Sequence, residues 1–349
     1  MSCIIPFLAA TVGALFSPNV SPLAEARLRT ASPARAEFEY ALKQPNADEL
    51  SLVVLIGAEE RHADDTPSSV VAEVNRQIDE LSEAAETRMK FDQMLGATQL
   101  EAAVPSLAME YACTAVSTTL FGSGAPDDGI LQQSATFYGS QQFYDPANSY
   151  VDQVLMRRSG LPLSLSLVYK ACTERIDTPL VGLNAPGHLL LAPARDTSLF
   201  AVDPFVGELI SADQLQDFVG ERLPPLLPAP LIDSFVQKLL KTPMNRFDWV
   251  ARCLRNLRQI HTASGDLVRL LGCSERLLLV HKYAMMDEQV AKSSSPPVPR
   301  NEVLQCEREV RARVVLALLL PCAAAAAAAA VCCCCRVLLL PPTPCCCFF

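Results

Sequence analysis

Apolar positions between residues 37 and 125 recur at mixed spacings of three and four, the period of one face of a helix. Helices are expected over Glu37 to Gln44, Ser68 to Lys90 and Gln99 to Leu120. Pro45 would stop the first, because proline lacks the N–H and crowds the preceding turn. Pro105 would break or start the third. The pattern then changes. Tyr144-Asp145-Pro146-Ala147-Asn148-Ser149 holds two turn-forming steps. Ser149 with Asp152 three residues on has capping-box spacing, so a short helix from Tyr150 to Arg158 is expected. Gly160 would end it in the left-handed conformation.

Leu161 to Tyr169 alternates apolar and polar residues, which by period alone fits a strand. Pro162, however, suits the first turn of a helix, and Lys170 to Arg175 continues with helix formers. Period leaves both open. Two strands are expected next, Val181 to Ala192 and Leu199 to Val202, around the polar turn Pro193 to Ser198. Drawn as a hairpin centred between Arg195 and Asp196, Ala192 faces Leu199, Leu190 faces Ala201, and His188 faces Asp203. Directly opposed side chains have Cβ atoms only ~5 Å apart, so this register brings an imidazole to a carboxylate. A one-residue slip would separate them onto opposite faces.

Residues 222–245 are rich in Pro and Leu and read as a linker. Phe247 to Ser264, Gly265-Asp266 and Leu267 to Tyr283 then read as helix, turn, helix. The remainder, residues 286–349, reads as disordered or low-complexity. Val314 to Cys335 carries no charge and lies between Arg313 and Arg336, which meets the length and flank criteria for a membrane span. Its Ala and Cys runs are equally what translated non-coding sequence would give, so no membrane is expected unless that segment is genuine. At the other end, Ile4 to Phe16 has the length of a signal h-region, and Arg27, Arg29 and Arg35 follow with a single acidic residue, Glu25. This order resembles a two-part plastid leader over residues 1–36, with Ala34-Arg35-Ala36 as a cleavage site. A secretory signal or a flexible tail is the alternative.

The formal charge of -9, without a Lys and Arg stripe, argues against a nucleic-acid partner. Of 14 Cys, eight lie in or beside the homopolymeric runs between Cys322 and Cys347, and the other six show no C-x-x-C spacing. Those six are expected to be free thiols. The four His (His62, His188, His261, His281) lack metal-ligand spacing, so no metal is expected. Gly122-x-Gly124 lacks a third glycine and a preceding strand, so no nucleotide cofactor is expected.

The composite Tyr144-Asp145-Pro146-x-Asn148-Ser149-Tyr150, Val154-Leu155-x-Arg157-Arg158-x-Gly160-x-Pro162-x-Ser164-Leu165-Ser166-Leu167-x-Tyr169, Pro186-Gly187-His188 and Val202-Asp203-Pro204-Phe205 resembles the SirB-type transglutaminase-like family. The resemblance implies an α+β fold: a transglutaminase-like (papain-like) core over 136–221, a helical N-terminal part over 37–135, and a tetratricopeptide-like helical hairpin over 246–285. It also favours a helix over about 162–175. Active members of this wider class use Cys–His–Asp or Cys–His–Asn, with the thiol at a helix N-terminus that lowers its pKa. Here that helix opens with Leu161-Pro162-Leu163-Ser164, and Cys172 lies two turns further on. The implied catalytic set is therefore Ser164, His188 and Asp203, read as vestigial. Two functions follow. One is a non-catalytic module that binds an unidentified protein partner. The alternative is a hydrolase or acyl transferase using Ser164, which would also need an oxyanion hole.

Overall fold

The structure, a computed structural model, describes residues 33–59, 66–94, 105–122, 136–224, 227–287, 290 and 297–311. Residues 1–32 of the expected leader, His62, Gly124, Val314 to Cys335 and the Cys runs lie outside the described residues, whereas Ala34-Arg35-Ala36, expected as a cleavage site, lies in the first helix with Ala34 buried and Arg35 paired with Glu275. Four helices come first: α1 (Pro33–Lys43), α2 (Glu49–Ala58), α3 (Pro67–Met94) and α4 (Pro105–Phe121). Helix α2 has no polar face: Leu50, Leu52, Val53, Val54, Leu55 and Ile56 are all buried. Such a helix must be enclosed, and α1 and α3 pack against it. Its N-terminus is capped by Asp48, whose carboxylate accepts from Ser51 N at 2.7 Å. On α3, by contrast, Val70, Val74, Ile78, Ser82 and Ala85 form one buried stripe.

The strand-rich part follows: β1 (Tyr138–Gly139), a 3-10 turn (Pro146–Asn148), α5 (Val151–Arg157), β2 (Ser159–Gly160), α6 (Pro162–Arg175), β3 (Leu180–Leu183), β4 (Leu190–Pro193), β5 (Phe200–Asp203) and β6 (Glu208–Ser211). The helical reading of 162–175 holds, with Pro162 in its first turn. Helix α5 begins differently from expectation. Tyr150 is its N-cap without a side-chain bond, and Arg158, not Gly160, takes the left-handed end at φ 55°. The Arg158 guanidinium lies over the Phe137 ring, 4.7 Å from its centroid. Gly160 pairs with Gly139 in the short parallel β1–β2 ladder instead.

The main sheet is antiparallel in the order β3-β4-β5-β6. The expected single strand over Val181 to Ala192 is two strands, β3 and β4, with Leu183 opposite Leu190. The turn between them runs through Pro186-Gly187, with Gly187 at φ +64°. The β4–β5 register is Leu191 opposite Val202. This is two residues from the expected pairing, and an even shift keeps every side chain on its face. Every residue of β4 and β5 is buried. Leu189, Leu191, Phe200 and Val202 join the large helical core. Leu190, Ala192 and Ala201 face a second cluster with Leu215, Val219, Val236 and Leu239.

That second cluster is built by α7 (Gln214–Gly220) and α8 (Ala229–Lys241). The segment expected as a linker therefore contains a helix that covers one face of the sheet. Helices α9 (Arg246–Ser264) and α10 (Leu267–Ala284) are joined through Gly265, whose φ of +72° ends α9 in the left-handed conformation, and Asp266. They pack on each other, and α9 also packs on α2. Trp249 of α9 lies against Gly182 of β3 so closely that a Cβ there would overlap its ring. Residues 300–311, expected as disorder, form a further helix, α11. Its Cys306 is buried, and Glu302 and Glu309 pair with Arg258 at 3.4 and 2.9 Å.

His261, near the end of α9, is 2 % exposed. Burial pushes its imidazole down to about 4, against about 6.5 in an unfolded chain. The unfolded state then binds more protons between those values, so stability rises with pH across that window and flattens above it. Acidification from pH 6.5 to 4 is expected to cost on the order of 3 kcal/mol through this residue. Urea unfolding at several pH values should show that slope in the wild type and its loss in His261→Leu. Parallel pH profiles would contradict the assignment.

Candidate active site

Asp203 ends β5 and starts a tight turn. Its Oδ1 accepts from Phe205 N at 2.9 Å, and its carbonyl accepts from Gly207 N at 2.8 Å. The same Oδ1 lies 2.7 Å from His188 Nε2. Asp203 thus both caps its turn and meets the histidine. His188 lies in the turn just before β4, and its backbone N–H donates to Ala185 O at 3.2 Å. The pair meets diagonally rather than as opposed ladder residues, because Asp203 is opposite Glu208 on its other side and the β4 ladder begins at Leu190.

The imidazole is 13 % exposed and the carboxylate 7 %. Phe205 and Phe218 pack edge-on to the imidazole, with centroids 6.0 and 5.8 Å away. Phe205 also covers Gly139, where no Cβ would fit. A carboxylate acceptor favours the tautomer with the proton on Nε2, which leaves Nδ1 as the basic nitrogen. That is the frame of a general base, oriented by its acid.

Ser164 is bonded to groups other than this pair. It is 2 % exposed in the first turn of α6. Its hydroxyl donates to Asn148 O at 2.7 Å and contacts Leu161 O at 3.1 Å. Leu161 N donates to the same Asn148 carbonyl at 3.0 Å. The Asn148 amide in turn donates to Ser140 Oγ at 2.9 Å and Gln142 O at 3.0 Å. The turn at 145–149 is thereby fastened to the start of α6. Ser164 and His188 share no hydrogen bond among the described residues. Cys172, also on α6, is buried, and burial pushes its thiol up to about 12. It is no nucleophile at neutral pH.

Two residues had no role in the sequence reading. Asn148 stands in the quoted motif without a function, and its clamp spans positions far apart in sequence. Arg252 of α9 carries no local signal at all. Its Nη2 donates to His188 O at 2.9 Å, and its Nη1 donates to Asn184 Oδ1. Among the described residues no group of His, Cys, Asp and Glu is arranged to hold a metal ion.

A helix-supported antiparallel sheet carrying a His–Asp pair is accompanied by a family match over residues 72–255, and the chain belongs to the transglutaminase-like superfamily. Among curated proteins it is similar to a UPF0162 protein of Xylella fastidiosa strain 9a5c, 32% identical over 138 residues (39% of this chain, 48% of that one). A UPF0162 protein of Pseudomonas aeruginosa is 32% identical over 145 residues (41% and 50%). Human F-box only protein 21 is 38% identical over 63 residues (18% and 10%). The chain spans about half the length of these Xylella and Pseudomonas relatives. No solved structure matches it.

Asp203→Asn replaces the carboxylate with an amide and weakens the preference for the Nε2–H tautomer. Imidazole 15N spectra should show one dominant tautomer in the wild type and mixed character in the variant. Ser164→Ala should cost ~1 kcal/mol in urea unfolding, the worth of one buried hydrogen bond. An unchanged stability would show that the clamp does not depend on the hydroxyl.

Proposed function

We propose that the protein is a non-catalytic, SirB-type transglutaminase-like module that binds a protein partner. The observation that carries this reading is the direction of the Ser164 hydroxyl. At the helix start where this class carries its thiol, the Ser164 oxygen is spent on Asn148 O and Leu161 O, inside the protein. A serine needs a base within hydrogen-bond reach to attack an acyl group. On this reading the protein keeps the frame of a papain-like site without its nucleophile.

The partner surface is the rim of that frame. Tyr138 and Tyr144 are each 60 % exposed, and Val206 is 51 % exposed. Tyr138 adjoins Gly139 and Val206 adjoins Phe205, the two residues in contact beneath the rim. Exposed tyrosines with an apolar neighbour are the composition of interface anchors. Helices α9 and α10, read as tetratricopeptide-like, would extend the binding surface. A plastid is the proposed compartment, on the order of apolar and basic residues in the leader. No helix among the described residues is long and apolar enough to cross a membrane.

The alternative reading, a hydrolase or acyl transferase using Ser164, His188 and Asp203, keeps the His–Asp contact in its favour. Two experiments separate the readings. Full-length protein used as bait in a plastid extract should recover a specific partner, and Tyr138→Ala with Val206→Asp should release it. Recovery of nothing specific would count against the binding role. A broad acyl-substrate screen should give equal background rates for the wild type and Ser164→Ala. A rate that falls in the variant would establish the enzyme instead.

A further inference from the structure

The turn that carries His188 is held from outside the sheet. Asn184 follows β3, and His188 comes two residues before β4. Between them Gly187 needs a positive φ, and a Cβ at that position would meet nothing within 4 Å, so neighbouring atoms do not wedge this part of the turn. Within the turn, His188 N donates to Ala185 O at 3.2 Å. The stronger restraint comes from α9. One guanidinium bridges both ends of the turn, with Arg252 Nη1 on Asn184 Oδ1 and Nη2 on the His188 carbonyl at 2.9 Å. Its acceptors are both neutral. Its neighbours on the same helix, Arg255 and Arg258, pair with carboxylates of α11 instead.

We infer that Arg252 is a positioning residue that sets the His188 imidazole from α9, and so ties the state of the His–Asp pair to the placement of the C-terminal helices. The geometry has two requirements. The guanidinium reaches an amide oxygen and a backbone carbonyl through two spaced nitrogens in a rigid fork, a geometry that lysine's single flexible ammonium reproduces only in part. The turn must also pass its backbone position on to the ring, and the carbonyl that Arg252 holds belongs to His188 itself. Burial lowers the guanidinium to about 10, with the charge of Arg255 adding to this, so it stays protonated at neutral pH. The side chain acts from the α9 face of the sheet, whereas the ring packs on Phe218 of α7. Arg252 is therefore a support for the site and not a group that would touch a ligand beside the imidazole. Displacement of α9, by a partner on α9–α10 or by release of α11, would loosen the turn and with it the Asp203 contact.

The inference rests on the reading of His188–Asp203 as the functional pair, but its test does not depend on partner capture. Imidazole 15N spectra of the full-length protein would be recorded for the wild type, Arg252→Met, Arg252→Lys, Asn184→Ala and Ser82→Ala. Ser82 is a buried α3 serine bonded to Ile78 O and controls for general loosening. The wild type should give one His188 tautomer with well-separated nitrogen resonances. Arg252→Met should bring them towards an averaged position, Arg252→Lys and Asn184→Ala should do so in part, and Ser82→Ala should leave them in place. A wild-type spectrum from folded Arg252→Met overturns the inference, as does an equal change in Ser82→Ala. If Arg252→Met does not fold, the two milder variants decide: wild-type spectra from both overturn it, and averaging in either supports it. A failed pull-down alongside averaged spectra would count against the binding function and leave the positioning role standing.

Discussion

The carbonyl of Asn148 is the point on which the site half of the molecule depends. It accepts from Leu161 N and from Ser164 Oγ, so one oxygen with two lone pairs closes the 145–149 turn onto the first turn of α6. Helix α6 in turn lies against β3 and β4 and is locked to α4 by Tyr169, whose hydroxyl donates to Cys113 O at 2.6 Å. A shift at Asn148 would pass through α6 to the strands that flank His188. The Ser164 and Tyr169 hydroxyls and the Asn148 amide nitrogen are all bonded, as a low-dielectric interior favours, whereas Asn148 Oδ1 and Ser149 Oγ are buried without a hydrogen-bond partner among the described residues.

How much of this was legible in the sequence follows from the kind of signal each element leaves. Helix α6 could be placed because Pro162 marks its start, even though the alternation of Leu and Ser mimicked a strand. Helix α2 escaped because a helix buried on all sides has no periodic face to detect. The β3–β4 turn escaped although Pro186-Gly187 is a turn signal. Apolar residues on both sides, needed by strands buried on both faces, made residues 181–192 look continuous. Helix α8 was obscured by the prolines before it, of which Pro228 stands at its N-cap.

The His–Asp contact was expected from the wrong register and is present in the right one. The reason is parity: a displacement of two residues preserves the face, so two residues on the same face at adjacent strand ends remain in reach. Side-chain length absorbs the remaining offset. The roles of Asn148 and Arg252 were not legible, because each acts through bonds to carbonyl and side-chain oxygens outside its own element. Hydrogen bonds to carbonyls constrain the chemistry at the acceptor very little, so no residue pattern reveals them.

The two ends of the molecule are held by different forces. Around Asn148 and Asp203 the ties are short hydrogen bonds from strand and helix ends. Across α1, α2, α10 and α11 they are guanidinium–carboxylate pairs, with Arg276 on Glu59 at 2.8 Å and Arg258 between Glu302 and Glu309. Such buried pairs add little net stability over an apolar contact, yet breaking one leaves an uncompensated charge. They therefore define the docked position of these helices sharply while leaving its free energy sensitive to a competing carboxylate. Arg252 stands between the two regimes, a cation from the charged half resting on neutral oxygens of the site half. Its hold on the turn is weaker than an ion pair, and that is what a coupling element requires: a contact strong enough to set the histidine and weak enough to yield when α9 moves.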